Sequence, residues 1–114
     1  MIYRHVVGKS VVVHEKANGV ERMYVEKMRE GRAEELESWL RENEGLLNRP
    51  RTCRMCMERF VPSEYDRESI ELAWVFGNKM DDMCMPCYKA IVLGAFRMLE
   101  KEQEAPKGVI QVTN

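Results

Sequence analysis

The arrangement of the cysteines constrains this chain more than any other feature. Its four cysteines form two C-x-x-C pairs, Cys53/Cys56 and Cys84/Cys87. Two such pairs supply four thiolates, which is the ligand set of a tetrahedral structural zinc site. We therefore predict one structural Zn²⁺ per chain, bound by all four cysteines. Because four thiolates leave no position open for a water molecule, we do not expect this ion to be catalytic.

Two alternatives stay open for the same cysteines. One is a thiol-redox role for Cys84 and Cys87, because a thiol at a helix N-terminus has a lowered pKa. No βαβ pattern surrounds this pair, however, and a redox role leaves the upstream pair without an explanation. The other is an iron–sulfur centre, which uses four thiolates but usually shows other cysteine spacings.

Charge and hydropathy limit the environment of the protein. The chain carries a net charge of −1 and 45% hydrophobic residues, so it has enough apolar side chains to fold and no global basic field. No stretch approaches the roughly 18 apolar residues of a spanning helix. We expect a cytoplasmic protein that does not bind membranes, and reducing conditions there favour metal-bound thiolates over disulfides.

Residues 1–48 predict a β-meander followed by a helix. Gly8-Lys9 and Asn18-Gly19 are two-residue turns of the kind that join antiparallel strands. The second turn also places two opposite-charge pairs across the strands, which favours this register. The expected strands are Ile2–Val7, Val11–Lys16 and Val20–Met28, and the charge pairs are Lys16–Glu21 and Glu15–Arg22.

The two histidines fall on one face of this meander. Val12 is expected opposite His5. His14 is expected opposite Tyr3 and Met23. Two imidazoles without a nearby carboxylate or thiolate make a poor metal site, so we interpret them as ordinary packed or surface histidines.

An amphipathic helix is predicted from Arg32 to about Glu44, because apolar residues recur there at three- and four-residue spacing. Gly45 is expected to cap its C-terminus. The acidic residues near its start favour the helix N-terminus. The apolar stripe consists of Ala33, Leu36, Trp39, Leu40 and then Leu47.

Residues 49–105 form the cysteine module. A strand is expected at Ser69–Phe76, where apolar residues alternate, and a turn at Gly77-Asn78. The second cysteine pair opens a long helix that is predicted to run to about Gln103, with Glu100 among the charges that mark its end. Its expected apolar side consists of Tyr88, Ile91, Val92, Ala95, Phe96, Met98 and Leu99.

The last segment, residues 106–114, begins with Pro106, where the helix is expected to stop. Apolar residues alternate beyond it. We interpret this segment as a free tail or as an edge strand.

The order of elements in residues 49–105 resembles the treble-clef class of zinc modules: a turn with two thiolates, a hairpin, and two thiolates at a helix N-terminus. The stretch Phe60-Val61-Pro62-Ser63-Glu64-Tyr65 is similar to zinc modules of the recombination-endonuclease VII type. The resemblance implies nucleic-acid binding, a nuclease scaffold or protein docking. It also implies a histidine-based metal site for a nuclease, whereas both histidines of this chain lie outside the module.

The predicted fold class is therefore α+β, with an N-terminal antiparallel β-meander and amphipathic helix before a treble-clef-like four-cysteine module that ends in a long helix. A zinc ribbon, with both cysteine pairs on hairpins, is the alternative if the segment after Cys87 is not helical. The expected domains are residues 1–48 and 49–105, with the tail at 106–114.

The function expected from the sequence is binding and not catalysis. No Ser/His/Asp arrangement and no Gly-rich phosphate loop can be placed, and no small-molecule substrate is indicated. We expect a zinc-stabilised module or small regulator that docks on another protein, within nucleic-acid machinery such as transcription. Candidate contact residues are Leu93, which lies off the main helical stripe, and the methionines near the cysteines. These methionines are Met55, Met57, Met80, Met83 and Met85.

Direct nucleic-acid binding is the main alternative, and a C-x-x-C redox protein is the second. Four arginines surround the first cysteine pair, and their planar side chains suit phosphates and guanine edges. Against this, residues 61–86 carry six acidic and two basic residues. The four arginines are Arg49, Arg51, Arg54 and Arg59.

Overall fold

The protein has the predicted α+β architecture. The computed structural model describes the backbone of residues 1–112 and the side chains of residues 1–102. The strands are β1 (Ile2–Val7), β2 (Ser10–Ala17), β3 (Val20–Lys27), β4 (Arg51–Thr52) and β5 (Arg59–Phe60). The helices are α1 (Arg32–Glu42), α2 (Glu44–Leu47), α3 (Arg67–Val75) and α4 (Met85–Val112), and a 3₁₀ turn spans Pro62–Glu64.

Strands β1 to β3 form the predicted antiparallel meander in the order β1-β2-β3. The Asn18-Gly19 turn has positive φ at both residues, 55° and 77°, which is the backbone of a tight type I′ hairpin. The expected pairings of His5 with Val12, and of His14 with Tyr3 and Met23, are confirmed. Both predicted charge pairs, Lys16–Glu21 and Glu15–Arg22, also stand opposite each other.

The first helix ends earlier than predicted. Helix α1 stops at Glu42, and Gly45 lies inside the short helix α2 instead of capping α1. Asn43 occupies the junction, where its side-chain amide donates to the Trp39 carbonyl at 2.8 Å. The same carbonyl accepts the Asn43 backbone N–H at 3.0 Å, so Asn43 closes the last turn of α1 with both its backbone and its side chain, in place of a glycine cap.

The prediction of a strand at Ser69–Phe76 is wrong, because nearly all of this segment lies in helix α3. The Asp66 side chain caps the helix by accepting hydrogen bonds from the Ser69 backbone N–H at 3.1 Å and from its hydroxyl at 2.7 Å. Apolar residues alternate along this segment because α3 is buried on more than one side, so more than one face of the helix carries apolar side chains. Ile70, Leu72, Ala73 and Trp74 are all buried.

Helix α4 confirms the predicted helix after the second cysteine pair and excludes the zinc-ribbon arrangement. It continues through residues 106–112, where we expected a tail or an edge strand, while residues 113–114 lie outside the described part of the chain. Its buried stripe is narrower than predicted, since Ile91, Met98 and Leu99 are exposed to 50%, 69% and 48%.

Among residues 1–102, three clusters of apolar side chains hold the fold together. The sheet–helix cluster joins the meander to α3 and α4, and the helix cluster joins α1 and α2 to α3. Both clusters draw side chains from either side of residue 48. The sheet–helix cluster consists of Val12, Met23, Leu72, Val92 and Phe96. The helix cluster consists of Leu36, Leu47, Ile70, Ala73, Trp74, Met80 and Met85. The cysteine cluster consists of Cys53, Phe60, Met83 and Cys84.

No helix in the described part of the chain is both long enough and apolar enough to cross a membrane.

Candidate metal centre

The first cysteine pair lies in a tight turn between β4 and β5. The Cys53 backbone N–H donates to the Glu58 carbonyl at 2.8 Å, and the Met57 N–H donates to the Cys53 carbonyl at 2.9 Å. Met57 has a φ of 64°, in the left-handed region that an L-residue adopts at a cost. This backbone reversal returns the chain to β5 and brings the two thiols of the pair to the same side.

The second pair lies at the start of α4. Cys84 directly precedes the helix and Cys87 lies in its first turn, where the Tyr88 N–H donates to the Cys84 carbonyl at 3.0 Å. The two halves of the centre are joined by the Arg54 N–H, which donates to the Asp82 carbonyl at 2.9 Å. The Met85 N–H donates to the Tyr65 hydroxyl at 3.0 Å, which orients the start of the helix.

The four sulfur atoms converge on one point. Their Sγ atoms all lie within 4.8 Å of one another, and the Sγ atoms of Cys56 and Cys84 are 3.7 Å apart. Thiolates about 2.3 Å from a tetrahedral ion would be separated by about 3.8 Å. All four cysteines are free thiols, so no disulfide competes for them. The group can therefore hold a metal ion.

Burial differs among the four ligands. Cys53 and Cys84 are buried, at 0% and 5% exposure, whereas Cys56 is exposed and Cys87 is half-buried. The Met55 N–H donates to the Cys53 sulfur at 3.4 Å. The buried side of the centre packs against Phe60 and Met83, so it forms part of the cysteine cluster.

The pKa values of the cysteine thiols differ because their local surroundings differ. Burial opposes ionisation of Cys53, but hydrogen bonds from backbone N–H groups outweigh it and lower its pKa to about 6. The Cys84 and Cys56 side chains, with burial, raise the pKa of Cys87 to about 12. Burial is also the main cause that raises the pKa of Cys84, which is opposite to the direction that a redox thiol at a helix N-terminus requires.

The four arginines near the first pair do not form one free basic patch. Arg51 is half-buried, and its guanidinium donates to the Leu46 carbonyl at 3.0 Å and to the Asp81 carbonyl at 3.5 Å. Arg54 lies 3.5 Å from Asp82 in an exposed ion pair. Arg49 and Arg59 are exposed and have no ion pair among the described residues.

The predicted protein-contact residues also separate by burial into three groups. Met80, Met83 and Met85 are buried at 2%, 8% and 4% exposure, so they fill the core. Met55 and Met57 are exposed to 59% and 71% on the turn that carries the first cysteine pair. Leu93 is half-buried against the sheet–helix cluster, although the sequence pattern placed it away from the core.

Sequence reasoning missed the role of Glu100. We expected this residue to mark the end of a helix, but it is only 3% exposed and lies between His5 and His14. The signal was available in the four-residue repeat of Val92, Phe96 and Glu100, which continues the buried stripe of α4. A carboxylate in an apolar stripe is informative because burying it requires compensating partners.

Comparison of the chain with protein-family models, curated proteins and solved structures finds no match.

Proposed function

We propose that this protein is a non-enzymatic docking module whose fold is stabilised by one Zn²⁺ at the four cysteines. In this proposal the turn that carries Cys53 and Cys56 contacts a partner protein. The module acts as a small regulator or adaptor, within nucleic-acid machinery such as transcription.

The choice of zinc is supported by the ligand set. Four thiolates in a tetrahedral arrangement suit Zn²⁺, whose filled d shell imposes no other geometry. A Zn²⁺ ion bound there would replace the protons that the closely spaced thiols otherwise retain, because only thiolates bind the metal. Structural zinc contributes on the order of 10 kcal/mol of apparent binding free energy, which is a large contribution for a chain of this size.

The docking role is carried by one observation, the exposure of Met55 and Met57 beside the centre. Methionine adapts its shape to a partner surface. Here two exposed methionines lie on a turn that several hydrogen bonds hold in place, so they present an ordered apolar surface to a partner. Met57 keeps this position despite a left-handed backbone that glycine adopts more readily. A groove of about 640 Å³ lies beside the turn, between Phe60, Tyr65 and the first turn of α4.

Charge around this groove favours a protein partner over nucleic acid. Glu58 and Glu64 line it together with Arg59, so phosphates would meet carboxylates as well as a guanidinium. Arg51 is engaged with backbone carbonyls and is not available for a phosphate. Arg49 and Arg59, the two exposed arginines with no ion pair among the described residues, are therefore the residues on which direct nucleic-acid binding would chiefly depend.

Partner capture by three forms of the full chain tests this proposal. The docking variant is Met55→Ser/Met57→Gly, in which glycine accepts the left-handed backbone and the fold is preserved. The matched control is Ile91→Ser/Met98→Ser, which removes two exposed apolar side chains of α4. We expect the wild type and the control to capture the same protein and the docking variant to lose it, with zinc content and circular dichroism unchanged in all three.

The result that would contradict the proposal is equal capture of that protein by the docking variant. Fluorescence anisotropy with duplex DNA separates the alternative function. Phosphate binding predicts an affinity that falls by about 0.9 log units per contact for each tenfold increase in salt. It also predicts a loss in Arg49→Ala/Arg59→Ala that the docking variant does not show.

A further inference from the structure

A second cluster of metal-ligating side chains lies on the sheet, away from the cysteines. His5 on β1 and His14 on β2 share one face, and Glu100 on α4 covers them. The Glu100 Oε2 atom lies 2.6 Å from His5 Nε2 and 2.7 Å from His14 Nδ1. Three ligand atoms from three separate elements thus converge within 4.8 Å of one another.

The burial of this cluster makes any uncompensated polar atom in it costly. His5, His14 and Glu100 are exposed to only 8%, 0% and 3%. A carboxylate in such surroundings is costly unless each of its oxygens is compensated. Glu100 Oε1 is buried and has no hydrogen-bond partner among the described residues, although Oε2 has two. An ion held by both oxygens would satisfy the atom that the protein leaves without a partner.

A second layer of contacts orients the ligands as it does in metalloproteins. The Nδ1 atom of His14 faces Glu100. Its other ring nitrogen, Nε2, lies 2.9 Å from Glu21 Oε2. Glu21 in turn pairs with Arg97. Metal-binding histidines usually donate their second N–H to a carboxylate in this manner, which fixes the ring and its tautomer.

The His5 ring is fixed by stacking. It lies parallel to the Phe96 ring, with an interplanar angle of 3° and a centroid distance of 3.9 Å. Phe96 precedes Glu100 by one helical turn. The same face of α4 therefore supplies both the Glu100 carboxylate and the aromatic ring that orients His5. Two oriented imidazoles therefore face one carboxylate across a packed interface.

We propose that His5 Nε2, His14 Nδ1 and the Glu100 carboxylate bind a second divalent transition-metal ion of the zinc class. Imidazole nitrogen and carboxylate oxygen are suitable ligands for Zn²⁺, and the two nitrogens with both Glu100 oxygens make four donor atoms. At metal–ligand distances of about 2.0–2.1 Å, an imidazole nitrogen and a carboxylate oxygen at a tetrahedral angle are about 3.4 Å apart. The nitrogens lie 2.6 and 2.7 Å from Glu100 Oε2, so each imidazole needs to move away from the carboxylate by less than about 1 Å. The ion ties β1 and β2 to α4, which makes it a structural clasp between the sheet and the long helix.

Zinc counting on the full-length protein tests this assignment. The protein is saturated with Zn²⁺, dialysed against a weak chelator and analysed by native mass spectrometry. We expect two ions in the wild type and one in Glu100→Gln, with the cysteine-bound ion retained. Glu102→Gln, an exposed change on the same helix, should keep both ions.

X-ray absorption at the zinc edge gives a readout that does not depend on a variant folding. Two occupied sites predict sulfur together with nitrogen or oxygen neighbours in the wild type, whereas the cysteine site alone gives sulfur only. A wild-type protein with one zinc and only sulfur neighbours would overturn the proposal and identify the cluster as a metal-free hydrogen-bonded network. That result would leave the function proposed for the cysteine centre untouched.

Discussion

Replacing Leu72 with alanine tests whether the sheet and the cysteine module unfold as one unit. Leu72 lies on α3, is 0% exposed, and packs in the sheet–helix cluster against Val12, Met23, Val92 and Phe96. These four neighbours come from β2, β3 and α4. The substitution therefore removes contacts that join residues 1–48 to residues 49–105.

The expected cost follows from the atoms removed. The change from leucine to alanine deletes three carbons, and at about 0.8 kcal/mol each their return to water costs about 2.4 kcal/mol. The cavity adds roughly 1 kcal/mol more, because neighbours on three elements cannot all relax into it. We expect the free energy of unfolding to fall by about 3–4 kcal/mol.

Urea denaturation at saturating zinc measures this loss with two signals. Fluorescence reports on Trp39 and Trp74, which lie in the helix cluster, and far-ultraviolet circular dichroism reports on the whole fold. Both transitions should shift together. The control is Leu46→Ala, which truncates a side chain that is 48% exposed and should cost less than about 1 kcal/mol. A circular dichroism transition that shifts while the fluorescence transition stays in place would refute the shared core.

Two further predictions concern the metal centre and the cap of α3. Cys56→Ser should lose the cysteine-bound ion and the cooperative unfolding transition, because three thiolates no longer fill the site. Thr52→Ser is the exposed control, and an unchanged metal content in Cys56→Ser would contradict the assignment. Asp66→Ala should destabilise the protein by about 1 kcal/mol, since it removes the bonds to Ser69. Those bonds hold the pKa of Asp66 below its ordinary value, so its contribution is complete above that value and is lost as the pH falls through the native pKa. Acid titration of stability in wild type and Asp66→Ala checks this, and a difference that grows at low pH would disagree with it.

Local patterns were sufficient where neighbouring residues decide the structure. The Asn18-Gly19 turn and the charge pairs beside it predicted the register between β2 and β3, because a two-residue hairpin allows only one pairing. The spacing of the cysteines predicted which four side chains meet. A C-x-x-C turn brings its own two sulfurs together, and the two pairs then have only each other to complete a tetrahedron.

Local patterns failed where burial came from more than one side. The alternation at residues 69–76 looked like a strand because Ile70, Leu72 and Trp74 are all apolar. Helix α3 instead packs between the sheet–helix cluster and the helix cluster, so it carries apolar residues around much of its circumference. The Asp66 cap was the signal that favoured a helix, and it lay just outside the alternating stretch.

The meander, the cysteine ligands and the helix that follows them could be read from the amino-acid order alone, because turn chemistry and short-range spacing specify these features. Which buried groups meet across the fold became evident only from the packing of the elements in three dimensions. Glu100 lies 95 residues from His5 and 86 from His14, and no local rule connects them. They meet because α4 packs its Val92–Phe96–Glu100 stripe on the sheet, and burial of that apolar stripe carries the carboxylate in with it.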